Sequence, residues 1–129
     1  MKTETIRCRD LMVGDWCCDH HGFPMQITNV GDDYAYATFE DNEGDPWEFD
    51  DKDDQPQPIP LTPEILEKNG LWYYSNDMWL HDEVGFYIEK WNGRFQCYDI
   101  NDIKLDSVHQ LQQILRLYGL NELADNFKV

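Results

Sequence analysis

The sequence predicts an α+β fold: a small SH3-like β unit, a short linker helix, and an antiparallel β meander packed by a C-terminal helix. Three observations lead to this prediction. Short runs of aromatic and β-branched residues alternate with turn residues, a capping signature marks a helix near residue 62, and an apolar stripe at helical spacing begins near residue 108. The 129 residues match the size of one ordinary domain, so we expect a single compact domain over residues 1–129.

Residues 8–49 carry the pattern of the SH3-like unit. Short strands are predicted at residues 16–18, 23–30, 34–39 and 47–49, and polar turn sequences such as Asp19-His20-His21-Gly22 separate them. Several short strands at this spacing are typical of a small curled sheet or barrel.

Residues 50–61 form an acidic, proline-rich linker in this prediction. Like charges repel and prolines resist sheet pairing, so we expect the segment to be exposed and extended. A helix of about two turns follows. Thr62 is its expected N-cap, Pro63 suits the first helical position, and Gly70 suits the stop.

Residues 62–129 are predicted as an α-β-β-β-α unit. Strand candidates lie at residues 72–74, 79–81, 84–91 and 94–98, and Asn92-Gly93 suits a type I′ hairpin turn because both residues tolerate positive φ. The last helix opens near Ser107 and ends at Gly119. Its apolar stripe consists of Val108, Leu111, Ile114, Leu115 and Tyr118.

The charge balance excludes two classes of partner. The chain has 26 acidic and 10 basic residues, a formal net charge of −16. Such a charge repels nucleic-acid backbones and anionic membrane surfaces, so we expect no direct nucleic-acid binding and no membrane binding. The acidity either serves solubility alone, or it meets a basic partner or imitates nucleic acid.

A cytoplasmic location is expected. No apolar run approaches the roughly 20 residues of a membrane span, and the first ten residues lack the apolar segment of a signal peptide. We expect free thiols at the four cysteines, because the adjacent pair does not suit an ordinary disulfide framework. They are Cys8, Cys17, Cys18 and Cys97.

Two motifs resemble a known family. Residues 58–70 read PIPLTPEILEKNG, residues 108–112 read VHQLQ and residues 117–119 read LYG. Together they resemble a family of small uncharacterised gut Bacteroidetes proteins, often linked to phage or mobile elements, in which such a helix follows an N-terminal β segment. The resemblance covers most of the chain in order, with residues 11–16 at the N-terminal pattern. Leu71 replaces the usual Phe. The resemblance implies an architecture and no activity.

Metal sites are considered and not predicted. Cys17, Cys18, His20 and His21 are the densest group of soft ligands, but zinc needs four, and no second pair lies nearby in sequence. The acidic run at residues 40–54 does not place carboxylates and glycine at the spacing of a calcium-binding loop. We therefore expect no metal and no cofactor.

Catalysis is not predicted either. His109 is the one histidine in a predicted helix, and Ser107 is near it in sequence but is better explained as a helix cap. We find no phosphate loop, nucleophile elbow or dinucleotide fingerprint.

The aromatic residues of the second β region are the candidate interface. Aromatic side chains on a sheet either fill the core or form a protein interface. The leading hypothesis is a non-enzymatic protein-binding module, and its exposed aromatic residues would suit a homodimer as well as a monomer. The alternative is an acidic inhibitor that mimics nucleic acid on a host or phage nucleic-acid enzyme. The interface candidates are Trp72, Tyr73, Tyr74, Trp79, Tyr87 and Trp91.

Overall fold

The computed structural model describes residues 4–39, 46–91, 93–97 and 100–129, with the backbone alone for Trp91 and residues 100–104. The chain divides into two compact units, Met1–Ile59 and Pro60–Val129. Two antiparallel sheets and three short α-helices give the α+β class that the sequence predicts. The division between the units falls inside the predicted linker.

The first unit contains a four-stranded antiparallel sheet in the order β1-β2-β3-β4. A 3₁₀ turn at Cys8–Asp10 precedes the sheet, and a β-bulge lies between Ile27 and Asn29 of the second strand. All four predicted strands of this region are confirmed to within one residue at either end. Their bounds are β1 Trp16–Cys18, β2 Pro24–Val30, β3 Tyr34–Thr38 and β4 Trp47–Asp50.

The core of this unit follows from strand alternation. Met25 and Ile27 point to one side of β2, and Ala35 and Ala37 do the same on β3. The small Ala35 lies directly opposite Phe49, which is fully buried, so a small residue makes room for a large one. The remaining buried members of this core are Ile6, Cys8, Leu11 and Cys17.

The acidic segment differs from the exposed, extended linker expected above. Residues 51–53 form a turn, closed where the N–H of Asp50 donates to the carbonyl of Asp54 at 3.0 Å. Beyond it, Gln57 pairs with Cys18 of β1 through two backbone hydrogen bonds of 2.8 and 2.9 Å. Backbone N–H groups solvate the carboxylates here, so charge repulsion does not keep the segment open.

The second unit contains a five-stranded antiparallel meander in sequential order. The predicted meander is confirmed, but it has five strands where an α-β-β-β-α unit was predicted. All four strand candidates are present, and β9 was missed because its sequence is largely polar. Asn92 of the predicted hairpin turn lies outside the described residues. The strands are β5 Trp72–Ser75, β6 Met78–His81, β7 Phe86–Trp91, β8 Arg94–Cys97 and β9 Ile100–Lys104.

Three helices complete this unit, α1 Pro63–Lys68, α2 Val108–Leu117 and α3 Asn121–Asp125. The predicted cap of α1 is confirmed, since Thr62 Oγ1 accepts from the N–H of Ile65 at 3.3 Å. A capping box formed by Ser107 and Gln110 opens α2. The predicted stripe of α2 is buried except at Tyr118, which is 39% exposed.

Helix α2 packs its C-terminal end against one face of the five-stranded sheet. The ring of Tyr118 makes an edge contact with Phe86, with centroids 5.5 Å apart, and its hydroxyl lies 3.3 Å from Cys97 Sγ. Within the described ranges, no helix has both the length and the apolar character needed to cross a membrane.

Candidate functional site

Three consecutive aromatic residues on β5 are the most exposed aromatic side chains among the described residues of the second unit. Trp72 is 58% exposed, Tyr73 is 55% exposed and Tyr74 is 69% exposed. We call these three residues the aromatic edge. Strand β5 is the first in the sheet and pairs with β6 alone among the described strands. Its outer side therefore presents backbone groups as well as aromatic rings.

A tight turn positions the aromatic edge. Asn76 and Asp77 both have positive φ, 52° and 60°, as a two-residue type I′ turn between β5 and β6 requires. The hydroxyl of Tyr73 accepts from the N–H of Asp77 at 3.4 Å, and its ring makes an edge contact with Trp79 at 5.5 Å. A β-bulge between Tyr73 and Ser75 adds local twist at Tyr74.

Strand register separates the six predicted interface residues into different environments. Trp72 is aligned with Leu80, which is aligned with half-buried Tyr87, so these three share one face. Trp79 is only 8% exposed and pairs with fully buried Ile88 on the opposite face, so it belongs to the core. The side chain of Trp91 lies outside the described residues.

One depression adjoins the aromatic edge at Trp72, and a second depression adjoins the first. The smaller has a volume of about 230 Å³ and is lined by Gly70, Trp72, His81, Asp82 and Glu83. The larger has a volume of about 460 Å³ and shares His81 and Glu83 with the smaller. Its other lining residues are Val84, Gly119, Leu120, Glu122, Leu123 and Asn126.

Sequence reasoning identified Trp72 and missed the other lining residues, because they come from separate parts of the chain: the end of α1, the turn between β6 and β7, and residues 119–126. One signal could have found part of the larger depression. Val84 follows Asp82-Glu83 and precedes Gly85, so an apolar residue stands in a polar turn, and it is 41% exposed. The contribution of Leu120 and Leu123 depends on where α3 lies and has no local signal.

His81 lies where the two depressions meet. Its Nδ1 is buried and has no hydrogen-bond partner in the described structure. Its ring packs against Gly70, where an added Cβ would come within 2.8 Å of Nε2. Gly70 has a φ of +82°, so both backbone conformation and the histidine ring favour glycine there.

The four soft ligands do not converge. Cys17 and Cys18 are buried, while His20 and His21 are exposed on the turn that follows β1. The thiol of Cys18 lies 3.5 Å from the carbonyl oxygen of Gln57. Burial raises the pKa of Cys17 and of Cys18, which opposes the thiolate form that zinc binds. No group of three or more metal-binding side chains is present in the part of the chain that the structure describes.

Ser107 and His109 are brought together, with Ser107 Oγ 3.0 Å from His109 Nδ1. Both are buried, at 3% and 8% exposure. Gln110 Oε1 accepts from the N–H of Ser107 at 3.2 Å, as the helix cap requires. The pair therefore lies buried at the start of α2.

The acidic residues after β4 serve the first unit as hydrogen-bond acceptors. Asp51 Oδ1 accepts from the N–H of Cys8 at 2.8 Å, and Asp54 Oδ2 accepts from the indole of Trp47 at 3.1 Å. The backbone N–H groups of Asp53 and Lys52 lower the pKa of Asp50. The first part of the run considered for calcium, residues 40–45, lies outside the described residues.

Comparison with known proteins gives no relative. No protein-family model matches the chain. No curated protein and no solved structure matches it either.

Proposed function

We propose that this chain is a non-enzymatic protein-binding module of the cytosol whose partner contacts the aromatic edge. The exposure of Trp72 and Tyr74 on an edge strand carries the proposal. Trp and Tyr are the residue types that most often dominate the free energy of protein interfaces. Their rigid rings bury a large area at a small entropy cost.

The backbone of strand β5 also supports a protein-binding function. An edge strand with unpaired N–H and C=O groups is a template for an added strand, and proteins usually protect such edges with Lys, Pro or charge. Strand β5 reads WYYS and carries none of these, although it has a bulge. A partner strand that adds to β5 would supply hydrogen bonds and cover the rings together.

The charge distribution supports a basic partner. Residues 1–59 have 15 acidic and 4 basic side chains, a net charge of −11. Residues 60–129 have 11 acidic and 6 basic side chains, a net charge of −5. Complementary charge accelerates encounter more than it strengthens the final complex, so the acidic residues guide the partner and the aromatic rings hold it.

We further propose that the first unit is a small SH3-like barrel. Two bridges support this: Asp50 pairs with Asp54 after the last strand, and Gln57 pairs with Cys18 of the first strand. The segment between these bridges thus connects the two outer strands of the sheet. Closing a small sheet in this way removes unprotected edges.

Affinity capture from a lysate at low salt, with the full chain as bait, tests the function. The variant Trp72→Ser/Tyr74→Ser should lose the captured partner. The matched control Val13→Ser/Leu117→Ser removes two other exposed apolar residues, 58% and 74% exposed, and should keep it. Equal capture by both variants would contradict a role for the aromatic edge.

The alternative function, an acidic inhibitor that occupies a nucleic-acid-binding site, is favoured by the −11 charge of residues 1–59. The resemblance to proteins of phage and mobile elements suits it as well. Duplex DNA added during capture distinguishes the two functions, because a mimic would be displaced from its enzyme by DNA. A partner held through the aromatic edge would also be lost in Trp72→Ser/Tyr74→Ser, whereas the enzyme bound by a mimic would be kept by that variant.

A further inference from the structure

We propose that the depression lined by Trp72 and the larger depression that shares His81 and Glu83 with it form one recognition site for a partner segment that presents a Lys or Arg side chain next to an apolar side chain. The inference rests on the proposed function and names the chemistry of the segment that such a module would bind. The cation occupies the smaller depression, and the apolar side chain occupies the larger one.

The smaller depression has the composition of a cation site. Trp72 offers an indole face, and a cation over such a face is attracted by the ring quadrupole. Asp82 and Glu83 add two exposed carboxylates on the same rim. None of its described lining residues is Lys or Arg.

The larger depression is lined by apolar residues and has an acidic rim. Val84 is 41% exposed, and Leu120 and Leu123 are half-buried. Its volume of about 460 Å³ exceeds that of a single apolar side chain, and small-molecule sites in proteins begin at roughly 300 Å³. Glu83 and Glu122 stand at the rim.

Hydrogen-bonded turns hold both walls in place. Gly85 N–H donates to the carbonyl of His81 at 2.9 Å and fixes the turn that carries Asp82 and Glu83. Leu120 N–H donates to the carbonyl of Leu115 at 2.9 Å and fixes the other wall. A preformed site pays less ordering entropy on binding.

Charge selects the occupant. An apolar segment without a cation would desolvate Glu83 and Glu122 with no compensation. A phosphate backbone is repelled by the same carboxylates, and a second copy of this chain also carries a net charge of −16. In a segment that has both kinds of side chain, the apolar side chain contacts the apolar lining residues and the basic side chain compensates the charge of the carboxylates.

Labelled synthetic peptides test the inference by fluorescence anisotropy with the full chain. One set has Lys or Arg close to Leu or Ile, a second replaces the basic residue by Glu, and a third replaces the apolar residue by Ser. We expect binding by the first set alone. Equal binding by the first and second sets would overturn the inference.

Charge reversal in the chain provides the matching test. Glu83→Lys/Glu122→Lys should weaken peptide binding about tenfold or more, and Glu83→Gln/Glu122→Gln should weaken it less. Glu64→Lys/Glu67→Lys changes two exposed residues of α1 by the same charge and should leave binding within about twofold. Equal weakening by both reversals would overturn the inference. Thermal unfolding of each variant checks that it is folded.

The failures of the two proposals can be distinguished. If partner capture is lost in Trp72→Ser/Tyr74→Ser but is unchanged in Glu83→Lys/Glu122→Lys, the proposed function stands and the recognition site is wrong. If capture is lost in the charge reversal but kept in Trp72→Ser/Tyr74→Ser, the aromatic edge is not the contact, and the assignment of the cation to the indole of Trp72 is wrong as well.

Discussion

The side-chain amide of Asn69 forms two hydrogen bonds with the backbone of Lys128. Its Nδ2 donates to the carbonyl oxygen of Lys128 at 2.8 Å, and its Oδ1 accepts from the N–H of Lys128 at 2.7 Å. The same amide nitrogen donates to the carbonyl of Ile65 at 2.8 Å. Asn69 is only 7% exposed, and these three part-buried bonds join α1 to the segment that contains Lys128.

The substitution Asn69→Ala should lower the free energy of unfolding by about 2–3 kcal/mol, because it leaves buried backbone groups without partners. Asn69→Asp should also destabilise the protein, since a carboxylate cannot donate to the carbonyls of Ile65 and Lys128. Urea denaturation measures both. Lys128→Ala removes an exposed side chain and keeps its backbone, so it should change stability by less than about 0.5 kcal/mol. A loss as large as that of Asn69→Ala would assign the stabilisation to the lysine side chain.

The substitution Gly70→Ala should destabilise the protein by about 1–2 kcal/mol from backbone conformation alone, and by more where the new Cβ meets His81. Gly119→Ala is the control, because Gly119 has a φ of +77° and open space where a Cβ would lie. The double variant Gly70→Ala/His81→Ala measures the contact as a coupling energy in a double-mutant cycle. A coupling of zero would show that the histidine ring simply moves aside.

Cys8 and Cys17 should react slowly with N-ethylmaleimide while the protein is folded. Burial and then the hydrogen bond to Asp51 raise the pKa of Cys8 to about 12, and burial raises that of Cys17. The thiolate is the reactive form, so reaction should become fast only in guanidinium chloride. Mass spectrometry of the alkylated peptides measures each rate. Rapid labelling of either residue under native conditions would contradict its burial.

The same thiols predict a loss of stability in base. Their folded pKa values lie above the ordinary value of 9.0, so the unfolded chain releases their protons first as the pH rises. This contribution is intact below pH 9 and declines from there toward about pH 12 for Cys8. Urea denaturation across this range should show a shallower decline for Cys8→Ala than for the unmodified chain. An unchanged slope would remove Cys8 as a cause.

Asp50 should titrate below its ordinary pKa of 3.8, because the N–H groups of Asp53 and Lys52 favour its ionised form. Its contribution to stability is present above that value and is lost as the pH falls through the lowered folded pKa. Carbon-13 NMR of the side-chain carboxyl measures the shift, and Asp50→Asn identifies the resonance. A titration at or above 3.8 would show that the turn after β4 is not closed in solution.

Much of the fold could be predicted because its signals are local. The strands of the first unit alternate clearly, as Met25 and Ile27 do, and the start of α1 is marked by Thr62 and Pro63. Strand β9 could not be predicted, since its sequence INDIK is largely polar and only its pairing with β8 defines it. The turn at residues 50–54 could not be predicted either, because Asp51 accepts a hydrogen bond from the N–H of Cys8, which lies 43 positions earlier.

The candidate site could be predicted only in part. The aromatic residues were visible in the sequence, but the register decides that Trp72 faces away from the core and Trp79 lies within it. The larger depression combines Glu83, which lies in the turn before β7, with Leu120 and Glu122 at the start of α3. A single sequence contains no local pattern that brings such residues together.

The sequential strand order has a consequence for synthesis on the ribosome. In both sheets each strand pairs with its neighbours in the chain, so every hairpin can form as soon as its second strand emerges. The contact between Asn69 and Lys128 spans 59 positions and must wait until Lys128 has been added. A nascent chain can therefore carry a paired meander before Asn69 has made its contact with Lys128.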